Sequence, residues 1–104
     1  MNKIRVIIKR PDEKHGHVTW ISDSLKNLQG IVGGHIQMIT MGEAMAVICN
    51  DDGKILGLPY NCKYGIDHFV GTIIAVGIKG EEMADCPLTM AQWKQILHLW
   101  GNQS

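Results

Sequence analysis

The sequence predicts an α+β domain: a mostly antiparallel sheet of about five or six strands with two helices, the C-terminal one amphipathic and packed on the sheet. Three observations carry that reading. Short apolar runs rich in Val and Ile alternate with Gly, Asp and Pro turn signals along the chain. Leu25, Leu28 and Val32 recur at helical spacing ahead of Gly33-Gly34. Near the C-terminus, Thr89 and Gln92 have the spacing of a capping box, and an apolar stripe follows them.

Taken in order, residues 4–9 are largely β-branched and read as a strand that Arg10-Pro11 ends. A polar turn over residues 12–16 leads to a second strand over 17–21, so the chain opens with a hairpin. Ser22 or Asp23 caps the first helix, because a short side-chain oxygen satisfies the free N–H groups of a first turn. Residues 35–41 are the next strand, and Gly42-Glu43 reads as a two-residue type II′ turn. Residues 44–50 are almost wholly apolar, as in a central strand. Asp52-Gly53 signals a type I′ turn, with residues 54–58 returning as a strand, so residues 35–58 read as a three-stranded meander. Residues 59–69 show little periodicity and read as an ordered loop, and residues 70–78 as a buried strand. In the last helix Met90, Trp93, Leu97 and Trp100 fall on one face, with Leu88 and Trp93 at the two positions of a hydrophobic staple.

A chain of 104 residues fits one domain over residues 1–104. It buries roughly 65% of its unfolded surface, enough for a core without staples. Ten basic residues balance ten acidic ones. That argues against non-specific nucleic-acid binding, which needs a surplus of cations, and a neutral chain is prone to self-association, so a homo-oligomer is expected. Cys49, Cys62 and Cys86 are odd in number with no paired spacing, which points to a reducing compartment. The N-terminal apolar run is too short for a signal peptide or a membrane span. The expected location is therefore the cytoplasm, with no membrane partner.

Several patterns touch on chemistry without completing it. His15 and His17 would share one side of a strand and could chelate a metal, but no spacing supplies a third ligand. Cys62 precedes His68 by six residues, yet an activated thiol needs a nearby cation or helix N-terminus. Asp51-Asp52, Glu81-Glu82 and Asp85 lie in turn-like segments, where solvation explains them. Gly30 to Gly34 follows a helix, whereas a phosphate-binding glycine loop precedes one. No catalytic residue, metal or cofactor is assigned.

The segment from Gly57 to His68 is the most suggestive. Tyr60 offers a flat ring with a hydroxyl, Asn61 both donors and acceptors, and Lys63, Tyr64 and His68 follow closely. Asn50 ends a neighbouring strand. Aromatic rings, amides and a cation together suit a nucleotide-like ligand through stacking and edge hydrogen bonds. Asn50, Tyr60, Asn61, Lys63, Tyr64 and His68 are therefore the predicted ligand-binding residues; a structural corner is the competing role for the same segment.

At this loop the chain resembles a known family. The run Val47-Ile-Cys-Asn50, then Asp52-Gly-Lys-Ile-Leu-Gly-Leu-Pro-Tyr-Asn61, Phe69-Val-Gly-Thr72 and Leu88-Thr89, is similar to domain-of-unknown-function family 3846. The helix from Leu25 followed by Gly33-Gly34-His35-Ile36 fits too, so the resemblance covers most of the chain beyond Trp20. It implies small proteins of bacterial phages, prophages and mobile elements, acting by binding in the host cytoplasm. It implies no catalytic role. The expected function is a non-enzymatic binding protein that sequesters a small nucleotide-like host signal and so counters defence. The alternatives are an inhibitor that caps a host enzyme or nuclease through an exposed apolar patch near Trp20 or Trp100, and a small hydrolase or metal enzyme.

Overall fold

In the computed structural model, which describes residues 3–102, eight strands and two helices follow the order β1 (Lys3–Lys9), β2 (His17–Ser22), α1 (Leu25–Val32), β3 (Ile36–Met41), β4 (Met45–Asn50), β5 (Tyr60–Tyr64), β6 (Asp67–Val70), β7 (Ile73–Lys79), β8 (Glu82–Ala84) and α2 (Met90–Asn102). Residues 1, 2, 103 and 104 of the single domain expected over residues 1–104 lie outside the described residues. The main sheet has six strands in the order β2-β1-β7-β4-β3, with β8 on β7, and every pairing is antiparallel. β5 and β6 form a separate two-stranded sheet. The predicted α+β class and the helix against the sheet are what the structure shows.

Strand alternation gives the sheet two apolar faces. Ile4, Val6 and Ile8 of β1, Ala46 and Ile48 of β4, and Ile74 and Val76 of β7 share one face with Leu28 and Val32 of α1. Ile7, Val47, Cys49, Ile73 and Ala75 share the other with Trp93 of α2 and Phe69 of β6. Burial on both faces explains why β4 and β7 are nearly continuous apolar runs. The radius of gyration, 12.8 Å, is that of a tightly packed chain of this length. Among the described residues no helix is long and apolar enough to cross a membrane.

The helix ends follow the local chemistry. Thr89 and Gln92 close the predicted capping box, with Gln92 N–H donating to Thr89 Oγ1 at 3.1 Å and Thr89 N–H donating to Gln92 Oε1 at 2.9 Å. Leu88 packs in the same cluster as Trp93, and Met90, Leu97 and Trp100 join them. The indole N–H of Trp93 donates to the carbonyl of His15 at 2.8 Å, tying α2 to the β1–β2 loop. For α1 the cap is Ser24, not Ser22 or Asp23: Asn27 N–H donates to Ser24 Oγ at 3.2 Å. Ser22 instead closes β2 opposite Lys3. Leu25, expected on the buried face, is 58% exposed, because it starts the helix before the helix reaches the sheet. Gly33 ends α1 in the left-handed conformation, φ 82°, as its missing Cβ allows.

Three strand expectations are corrected. The β3–β4 connection holds three residues, Gly42, Glu43 and Ala44, since Met41 pairs with Met45. Residues 54–58 are no strand, so the meander has two strands. Leu58 N–H reaches back to Gly53 C=O at 3.0 Å and Gly57 N–H to Lys54 C=O at 3.2 Å, the bonding pattern that closes a helical turn. Gly57, φ 70°, is the residue that takes the left-handed conformation, a role the Asp52-Gly53 signal assigned to Gly53. Residues 59–69 are a β-hairpin rather than a loop, and the strand expected over 70–78 is divided at Gly71-Thr72 between β6 and β7. β8, in a segment read as turn, was not anticipated.

Candidate functional site

The β5–β6 hairpin is built around a bulge. Tyr60 pairs with Val70 and Cys62 with Phe69, leaving Asn61 as the extra residue between them. The bulge turns Asn61 into the protein. Its Nδ2 donates to Lys9 C=O at 2.8 Å and to Gly71 C=O at 2.7 Å, and its Oδ1 accepts from Lys9 Nζ at 2.8 Å. Asn61 and Lys9 are both buried. The amide thus locks the hairpin onto β1, with every polar atom occupied.

Asn50 has a comparable role one strand away. Its Oδ1 accepts from Asp52 N–H at 2.8 Å and its Nδ2 donates to Val32 C=O at 3.2 Å, joining the end of β4 to the end of α1. Tyr64 faces inward: its ring stacks on Phe69 with centroids 5.3 Å apart and meets the edge of Trp100 at the same distance. Trp93 and Trp100 meet edge-on at 5.7 Å, so Trp100 belongs to this aromatic cluster.

The remaining three predicted residues do come together. Lys63 stands directly opposite His68 across the hairpin, and the Tyr60 and His68 rings lie 5.7 Å apart. Tyr60 is 59% exposed. Tyr60, Lys63 and His68 therefore share the outer side of the hairpin.

His68 also lines a cleft of about 270 Å³ between β3, the end of β4, the 51–57 turn and β6. Gln37, Asn50, Asp51, Lys54 and Asp67 supply its polar groups. The ammonium of Lys54 pairs with Asp67, joining the turn to the hairpin. That ammonium, with His68 N–H, holds the Asp67 carboxyl below its ordinary range. The Cys49 thiol donates to Gln37 Oε1 at 3.9 Å on the cleft floor. Ile55, which lines the cleft, is 87% exposed, and Ile66, on the turn between β5 and β6, is 96% exposed. Gln37, Asp51, Lys54 and Asp67 were absent from the sequence-derived set. The one local signal was apolar Ile55 and Ile66 beside charged residues in turns, where burial does not require them.

Burial pushes all three thiols up, Cys62 to about 11, the reverse of an activated nucleophile. His17 Nδ1 lies 2.9 Å from Glu13 Oε2 and helps order the β1–β2 loop. Among the described residues no three His, Cys, Asp or Glu side chains are grouped to hold a metal.

The family model for Domain of unknown function (DUF3846) matches residues 4–101. The chain belongs to this family. No curated protein and no solved structure matches it. The DUF3846 match runs from β1 into α2, so it takes in the opening hairpin ahead of Trp20 as well as the bulged hairpin and the cleft.

Proposed function

We propose that this DUF3846 protein is a non-enzymatic binding protein that sequesters a small nucleotide-like molecule in the cleft beside β6. The observation that carries this reading is the position of His68, which lines the cleft and also joins Tyr60 and Lys63 on the outer side of the hairpin. A base would lie against the Tyr60 and His68 rings, with Asp51 and Asp67 accepting hydrogen bonds from sugar hydroxyls. Lys54 and Lys63 would meet phosphate. The cleft, at about 270 Å³, is near the small end of ligand sites, which span roughly 300–1,000 Å³, so one nucleoside unit is the matching size. The raised thiols favour binding over nucleophilic catalysis. In the phage and mobile-element setting that the family resemblance implies, such binding would withhold a host signal.

Calorimetric titration and thermal unfolding against nucleosides, mononucleotides and cyclic dinucleotides test the reading. A ligand present at about 100 times its dissociation constant adds about 2.7 kcal/mol to stability. No heat and no stabilisation with any of them at about 1 mM, which excludes affinities of biological use, would end the proposal.

A second reading rests on its own observation. Ile55, Leu56 and Ile66 are exposed apolar residues on the two turns that the Lys54–Asp67 pair brings together, and Trp20 is exposed on β2. Such residues suit an inhibitor docking on a host enzyme. Leu56→Ser with Ile66→Ser, neither of which lines the cleft, would abolish capture of a host protein while leaving nucleotide binding intact.

A further inference from the structure

We infer that β3 is the self-pairing edge of the sheet, and that two copies of this chain join antiparallel through it about a two-fold axis at Met38. β3 pairs with β4 along one side, and no strand among the described residues pairs with its other side. The phase of the β3–β4 ladder shows which groups are left over. His35 C=O accepts from Asp51 N–H at 2.8 Å, so that opposed pair is hydrogen-bonded. In an antiparallel ladder hydrogen-bonded pairs alternate with non-bonded ones. Gln37, Ile39 and Met41 therefore bond to Cys49, Val47 and Met45, while the N–H and C=O of Ile36, Met38 and Thr40 point away from β4. Centring a second copy on Met38 sets Ile36 opposite the partner's Thr40 and Met38 opposite the partner's Met38. Every outward group then has its complement.

The composition of the strand fits a second copy. Ile-Gln-Met-Ile-Thr-Met contains no charge and no proline, the two devices that normally guard an exposed edge. The antiparallel arrangement brings the His35 end of one strand to the Glu43 end of the other, so like charges do not meet. Both cores are also open here: Ile36 packs on one cluster and Ile39 and Met41 on the other, each only partly buried, and Met38 is exposed. One added strand would cover both. The opposite edge of the sheet differs, because the charged residues Arg10, Asp12, Glu13 and Lys14 crowd the start of β2. Gln37 and Ile39 of β3 also line the cleft, so the partner's Gln37 and Ile39 would continue that wall across the axis.

Sedimentation equilibrium over a concentration series tests the interface. The wild-type chain should sediment at twice the chain mass. Met38→Pro removes an outward N–H and no bond to β4, so it should keep the far-ultraviolet spectrum of the wild type and sediment as a single chain. Met38→Lys sets two ammonium groups face to face and should weaken dimerisation about fivefold or more, less at high salt. A wild type that stays monomeric, or that assembles beyond a dimer, overturns the inference. So does a folded Met38→Pro variant that still dimerises. If Met38→Pro does not fold, an unchanged dimerisation constant for Met38→Lys overturns it.

Discussion

The ammonium of Lys9 lies 2.8 Å from Oδ1 of Asn61, and the Asn61 amide donates back to the Lys9 carbonyl at the same distance. This two-way contact fastens the bulged hairpin to the central sheet. Asn61→Ala would leave the buried Lys9 ammonium only the Asn61 backbone carbonyl at 3.3 Å and would remove the amide donor from the Lys9 and Gly71 carbonyls. The expected loss is about 2–4 kcal/mol, since a buried charge that loses its closest partner is the expensive case. Urea unfolding of the variant measures it. A loss under about 0.5 kcal/mol, the range of an ordinary surface change, would show that the hairpin does not depend on this amide.

Alkaline pH should reveal the half-buried Cys62 thiol next to that contact. Burial raises Cys62 from an ordinary 9.0 to about 11. Between those values the unfolded chain gives up the proton and the folded chain keeps it. The contribution is therefore complete below pH 9.0 and is lost as pH rises through about 11. Cys49 and Cys86 are raised in the same sense. Lys9 acts oppositely: burial lowers its ammonium, so its penalty on folding fades as pH rises toward 10.5. Chemical unfolding at several pH values should show wild-type stability falling above pH 9.0, and Cys62→Ala should flatten that fall. An identical slope in the variant would refute the assignment.

The Lys54–Asp67 pair gives a test directed at the ligand. Both side chains are more than half exposed, so breaking the pair should barely change stability. The effect on charge is larger. Asp51, Asp67 and Lys54 leave the cleft one negative charge in excess, and Asp67→Asn removes that excess and frees the Lys54 ammonium. Because Asp67 is held below its ordinary 3.8, the wild-type pair should persist until the pH falls through that lowered value. Titration calorimetry should show Asp67→Asn binding a mononucleotide more tightly relative to its nucleoside, and Lys54→Ala reversing that preference. The difference should shrink with added salt.

How much of this was legible depends on how local each signal is. The Thr89–Gln92 box and the Met90, Trp93, Leu97, Trp100 stripe depend on residues within one helix, and both form as read. The β5–β6 hairpin was hidden because the bulge at Asn61 breaks the two-residue alternation that identifies strands. The 51–57 turn was misread because Asp52-Gly53 is a strong hairpin signal, yet a Cβ on Gly53 would lie 2.8 Å from Val70 Cγ2. That glycine serves close packing. Asn50 and Asn61 were read as ligand contacts for their hydrogen-bonding capacity; their partners Val32, Lys9 and Gly71 are brought near only by the finished fold. Tyr60, Lys63 and His68 stand together because one hairpin carries all three.

Two glycine-to-alanine changes separate packing from propensity. Gly77 lies where β7 passes β8, and a Cβ built there would fall 1.9 Å from the Asp85 carbonyl oxygen. That oxygen belongs to backbone held on both sides, since Arg5 N–H donates to Asp85 Oδ1 at 2.7 Å and Cys86 N–H donates to Arg5 C=O at 2.7 Å. The methyl group cannot be admitted without lifting this segment from β1, so Gly77→Ala should cost about 3 kcal/mol or more, at the upper end of overpacking penalties. Gly30, inside α1, has nothing within 4 Å of its added Cβ. Gly30→Ala should stabilise the protein by about 0.5–1 kcal/mol through the higher helix propensity of alanine. Thermal unfolding of the two variants should therefore move in opposite directions. A mild effect at Gly77 would mean that the 85–86 segment yields easily, and that the Arg5 contacts do not hold β8 against the sheet.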